Sequence, residues 1–206
     1  MQRAISRRDF IKKGALWTLG ASIIRPSIAE CMMLQTGKPP AAPACSTSKD
    51  SQASTDAVNS IGRYTDQIYT AGSFTPPAES SYTLCAVAVR IYKVNSPTFN
   101  INLAVYSDTG SNAPDSALGT STTTKAASEL TADTGGEEVK FGGLDVSIIA
   151  ETRYWIVLYA SAHGDTNYVN WHALAAAFGN YTYKDVDATS FVLINNSQRM
   201  RYTTYA

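Results

Sequence analysis

The segment Glu151–Tyr159, ETRYWIVLY, constrains the fold of this chain more than any other. Aromatic and β-branched residues dominate it, a composition that favours a strand over a helix. Side chains alternate along a strand, so Tyr154, Ile156 and Leu158 share one face and Trp155, Val157 and Tyr159 the other. A strand apolar on both faces belongs inside a sheet, with its second face covered or used as an aromatic surface. The segment therefore predicts the core strand of a β-sandwich.

The flanking sequence supplies the partners. Ile68–Pro76 reads as a strand ended by Pro76-Pro77, and Tyr82–Val94 as a longer one with Cys85, Val87, Val89 and Ile91 facing inward. Phe99–Tyr106 alternates cleanly, with Ile101, Leu103 and Val105 inward. Ser107–Ser116 is rich in Asp, Gly, Asn and Pro and reads as a loop. Leu118–Thr124, Glu138–Gly142 and Leu144–Ile149 read as short strands, with a helical turn near Ala126–Leu130. After the loop Ala160–Thr166 come Asn167–Trp171, Asn180–Tyr183, Ser190–Ile194 and Arg199–Tyr205. Roughly eight to ten strands at this spacing predict an all-β, two-sheet antiparallel sandwich of jelly-roll type spanning 61–206.

The N-terminus carries a different message. SRRDFIKK at 6–13 resembles a twin-arginine export signal, with Arg7, Arg8, Phe10 and Lys12 at the matching places. The apolar segment Gly14–Ile24 that follows is far shorter than the roughly 20 residues needed to cross a bilayer. Ser27-Ile28-Ala29 offers the small residues of a cleavage site, so 1–29 reads as a signal peptide and predicts a secreted, periplasmic or cell-surface product without a membrane span. The partner implied is the twin-arginine export machinery. Cys31 raises lipid anchoring as a rival, against which Glu30 stands where a small residue is expected.

Charge follows from that division. Of 17 basic and 17 acidic side chains, residues 1–29 hold six and one, so the remainder carries 11 against 16, a formal −5. No basic stripe is left to neutralise phosphates, which argues against a nucleic-acid partner. Residues 30–60 are rich in Pro, Ala, Ser and Thr and read as a flexible linker. Three cysteines follow the leader: Cys85 reads as a core residue, and Cys31 with Cys45 as a pair able to close a loop in the linker. Because the twin-arginine route carries folded proteins, the core is expected not to depend on a disulfide.

A family resemblance appears in the strand region. SFTP at 73–76, YTL at 82–84, VY at 105–106, Pro114 with Leu118-Gly119, and YWIVL at 154–158 occur in an order similar to that of jelly-roll domains of bacterial and phage surface proteins. These are the choice-of-anchor domains, similar in fold to carbohydrate-binding modules. The resemblance covers about residues 68–172 and implies a non-catalytic extracellular module. Beyond Trp171 only Phe178-Gly179-Asn180 stands where the family has a Gly-rich loop.

The chemistry of the side chains points the same way. The chain has 2 histidines, His163 in a His-Gly-Asp loop and His172, with no Gly-x-Ser-x-Gly elbow to present a nucleophile. A secreted hydrolase is thus the weakest of the readings, and no catalytic residue is assigned. Acids such as Glu137, Glu138, Asp145, Glu151, Asp165, Asp185 and Asp187 fall at turns and strand ends instead of as a facing pair. Asp108, Asp115, Asp185 and Asp187 could hold a structural Ca²⁺, although solvated turn acids are the simpler reading; no cofactor is expected. Aromatics are the better lead, since sugar rings stack on flat aromatic faces while polar neighbours fix the hydroxyls. Parity puts Trp171 with Val169 in the core and Tyr168, Asn170 and His172 on the other face, a candidate platform joined by Tyr181 and Tyr183. The expected function is weak carbohydrate or cell-surface binding through exposed aromatics. The alternative is a structural, adhesin-like module without a small-molecule site.

Overall fold

The computed structural model describes residues 45–53, 57–175, 181–184, 191–195 and 198–206; the leader reading falls on residues outside these. In chain order the strands are β1 (Ser48–Gln52), β2 (Ala57–Ile61), β3 (Tyr69–Phe74), β4 (Tyr82–Val94), β5 (Asn100–Asp108), β6 (Pro114–Thr120) and β7 (Lys125–Ala126). There follow β8 (Glu137–Ile148), β9 (Tyr154–Ala160), β10 (Tyr168–Leu174), β11 (Tyr181–Lys184), β12 (Phe191–Asn195), β13 (Arg199–Met200) and β14 (Tyr202–Tyr205). They form two antiparallel sheets. In the first, β1-β14-β4-β10-β13 are neighbours, with β2 added on β10 and β8 on β4. The second runs β12-β11-β3-β9-β5-β6, with β7 on β5. The chain folds as the all-β, two-sheet sandwich its sequence predicts.

β9 lies between β3 and β5, inside its sheet, as a strand apolar on both faces must. Tyr154, Ile156 and Leu158 join the main core between the sheets, beside Ile101, Leu103 and Val105 of β5 and Trp171 of β10. Trp155 and Val157 belong to a second, smaller cluster on the outer face. The short helical turn appears as a 3₁₀ segment at Ala127–Glu129.

Three expectations need correction. First, residues 30–60 are not a linker throughout. β1 pairs with β14, and β2 pairs with β10 from Ala57 opposite Ala173 to Ile61 opposite Val169. Composition misled because β1 is held chiefly by backbone hydrogen bonds, which a polar sequence makes as well as an apolar one. Second, Cys85 is bonded to Cys45, not left as a core thiol, with Cα atoms 5.8 Å apart. The ladder between β4 and β8 shifts register between Leu84 and Ala86. That irregularity puts Leu84 in the core and leaves Cys85 outside it, breaking the parity assumed from Val87. Third, Glu138–Gly142 and Leu144–Ile149 are one strand, β8, which carries the irregularity at Gly143. Gly143 has φ +74°, and a Cβ there would run into the Thr122 hydroxyl, so glycine is required.

Candidate functional site

The platform expected on β10 is built into the fold. Tyr168, Asn170 and His172 do share a face, but Asn170 is 6 % exposed and His172 4 %. The Asn170 amide accepts a hydrogen bond from Ser60 Oγ at 3.1 Å and donates one to Tyr92 Oη at 2.8 Å. The His172 ring lies 5.4 Å from that of Tyr92. Gly136, at φ +68°, closes over the imidazole so tightly that a Cβ would come within 2.9 Å of Nε2. Alternation fixes which way a side chain leaves the strand; it is silent about what lies on top, here the turn leading into β8, with β2 paired alongside in the sheet. Tyr168 is half-buried, with the Arg63 guanidinium 5.0 Å from its ring. Tyr181 and Tyr183 are on β11 in the opposite sheet, paired with Gly72 and Thr70, and their side chains lie outside the described residues. The five expected residues are therefore divided between two sheets. Trp171 is fully buried as expected, and its indole N–H donates to the Arg201 carbonyl at 2.7 Å.

A different aromatic surface lies on the outer face of the second sheet, where β3, β9 and β5 run side by side. Three cross-strand rows build it: Tyr69, Tyr159 and Asn102; Ala71, Val157 and Ala104; Ser73, Trp155 and Tyr106. The middle row is fully buried, with Ala71 and Val157 at 0 % and Ala104 at 2 % exposure, and Tyr69, Tyr106 and Phe191 pack around it, so the half-buried tyrosines are what this face presents. Tyr69 and Tyr159 stack with ring centroids 5.1 Å apart and planes 18° from parallel. Phe191 of β12 meets Tyr106 edge-on at 5.8 Å. Burial raises the Tyr106 phenol above its ordinary value, and the neighbouring Tyr69 and Tyr159 phenols add to it. Tyr159 is raised by burial and then by Tyr69. The sequence does place Trp155, Val157 and Tyr159 together; what it lacks is the register that brings Tyr69 and Tyr106 beside them.

Beside the β5–β6 turn is a cleft of about 450 Å³, lined from both sheets by residues that include Ser107, Asp108, Leu118, Ser147, Thr152 and Arg153. The expected loop Ser107–Ser116 is shorter than its sequence suggests, because β5 runs on to Asp108 and β6 begins at Pro114. Asp108 Oδ1 accepts the Trp155 indole N–H at 2.8 Å, and Oδ2 accepts the Gly110 N–H at 2.9 Å. Ser107 Oγ donates to Asp115 Oδ2 at 3.3 Å. Those bonds tie both acids into the β5–β6 turn.

Among the described residues no group of His, Cys, Asp and Glu is placed to hold a metal ion, and Asp185 and Asp187 lie outside them. His163 is exposed in a loop anchored by the Gly164 N–H on the Gly62 carbonyl at 2.8 Å. No helix among the described residues is long and apolar enough to cross a membrane. No protein-family model matches the sequence, and no curated protein matches it.

Proposed function

We propose that the chain is an exported, non-catalytic module that binds carbohydrate weakly through the tyrosines on the outer face of its second sheet. The observation that carries this reading is the nearly parallel pair Tyr69 and Tyr159, half-buried, with Asn102 next in the same row. A sugar ring stacks on such a face through its C–H bonds while an amide fixes a hydroxyl. The twin-arginine-like leader and the resemblance of 68–172 to secreted jelly-roll domains support the same reading. One stacked ring and a few hydrogen bonds, after ordering costs, give affinity on the order of micromolar to millimolar. The test is a glycan array followed by titration calorimetry on the purified chain. Binding that weakens in both Tyr69→Ala and Tyr159→Ala, with the fold intact by circular dichroism, supports the reading; no saturable heat with any glycan at millimolar concentration overturns it.

A structural or adhesin-like module is the second reading. Val192 and Leu193, 55 % and 49 % exposed, stand on β12 at the edge of the second sheet. An exposed apolar edge strand is the kind of element that adds to another sheet.

A further inference from the structure

By alternation Asp108 and Arg153 leave β5 and the start of β9 on the same side as Tyr106 and Trp155, one step beyond the Ser107–Tyr154 pair. Opposite charges so placed ordinarily form a cross-strand ion pair. Here they do not. Asp108 is held by the Trp155 indole and the Gly110 amide, and the ion pair found among the described residues is Lys125 with Glu129. Arg153 has neither a hydrogen bond nor an ion pair among them. A half-buried guanidinium with uncommitted donors in a cleft is suited to a planar carboxylate, which it grips with two parallel N–H bonds. The hydroxyls of Ser107, Ser147 and Thr152 line the same cleft, and Leu118, 44 % exposed, offers an apolar wall. Beside Asp108 and the nearby Asp115 the cleft carries a formal −1, so what it offers a monoanion is the local two-donor grip of Arg153 and not a net attraction, and a phosphate dianion is repelled more strongly still.

We infer that this cleft is a subsite for an acidic sugar, a uronate whose carboxylate sits on Arg153 and whose ring hydroxyls meet the surrounding serines and threonine. The inference rests on the carbohydrate reading and adds a charged position in the cleft beyond the Trp155–Tyr106 row.

The test uses the full chain with two probes of one backbone, oligogalacturonate and its fully methyl-esterified form, which differ only in the carboxylate. The free acid is expected to bind at least tenfold more tightly than the ester, and to lose that advantage in Arg153→Gln and as salt is raised. Arg153→Lys keeps the charge without the fork and falls between. Thermal unfolding of Arg153→Gln matching the wild type shows that the loss is one of recognition. Equal binding of acid and ester, or a free-acid affinity unchanged by Arg153→Gln, overturns the subsite. So does binding of a peptide through its free C-terminal carboxylate with no binding of the uronate. Tyr159→Ala separates the two proposals. Neutral glycan lost in Tyr159→Ala with no acid preference leaves the aromatic reading and removes this one. Acid binding that depends on Arg153 while Tyr159→Ala changes nothing does the reverse.

Discussion

Tyr202 donates its phenolic hydrogen to Asp50 Oδ2 across 2.7 Å, tying β14 to β1 across 152 positions of sequence. The ring is in the core, 5.6 Å from that of Phe74, and Arg199 donates to the phenolic oxygen of Tyr202 at 2.9 Å. A segment of Ser, Lys, Asp and Gln, laddered to β14 by its backbone, is thus also anchored by one buried aromatic of the opposite terminus.

The alkaline limb of stability should report this phenol. Burial, and then the Asp50 charge, hold the Tyr202 pKa far above its ordinary value. A folded pKa above the unfolded one contributes stability that is complete below the unfolded pKa, about 10 for tyrosine, and is lost as pH rises toward the folded value. Urea midpoints should therefore fall above pH ~10. Tyr202→Phe should flatten that fall while lowering stability at neutral pH by about 1–3 kcal/mol, since Asp50 and Arg199 lose a partner. An unchanged alkaline slope in the variant would remove the assignment.

Reduction should weaken the fold measurably. Cys45 and Cys85 close a loop of 40 residues, for which chain entropy gives up to about 4 kcal/mol. Chemical denaturation with and without reductant reads the difference directly, and Cys45→Ser should match the reduced wild type. Coincident curves would mean that the link contributes nothing to the domain.

Asn170→Ala should be a stability variant and not a binding variant. It strips partners from Ser60 Oγ and Tyr92 Oη in a buried setting, at a cost of about 1–3 kcal/mol. Trp171→Ala should cost about 3–5 kcal/mol, because it empties the core and also frees the Arg201 carbonyl. Thermal melts of the two variants beside Tyr168→Ala, which should lie near the wild type, test the inversion of roles along this strand.

Salt should distinguish the outer face from the cleft. Neutral glycan held by Tyr69 and Tyr159 should bind equally at low and high ionic strength, since stacking a neutral ring involves no charge pair to screen. Calorimetry at two salt concentrations checks it. A steep decline for the neutral ligand would mean that charge, and not stacking, holds it.

The central strand, the two-sheet architecture and the buried Trp171 were legible because each follows from alternation within a single segment. What alternation cannot convey is a register shift or a cover. The irregularity opposite Cys85 reversed its face, and the turn at Gly136 sealed His172 beneath it. β1 was hidden for a related reason: its pairing is written in the backbone and in the bond of Asp50 to Tyr202, neither of which shows as apolar alternation in its own sequence. Tyr69, Tyr106 and Tyr159 are each visible in the sequence as strand residues. Their assembly into one surface depends on which strands become neighbours.

The backbones of Thr47 and Ala206 bond to each other in both directions, at 3.2 and 3.0 Å. Entry to and exit from the domain are thus side by side. A pull applied between Cys45 and Ala206 would not stretch the sandwich along its strands. The covalent bridge ties Cys45 to β4, so β14 would be peeled from β1 and β4 together, one rung at a time, starting at Ala206 and Tyr205. Under tension the molecule would behave as a zipper with a riveted end: weak against peeling, but unable to surrender its first strand until the bridge is cut.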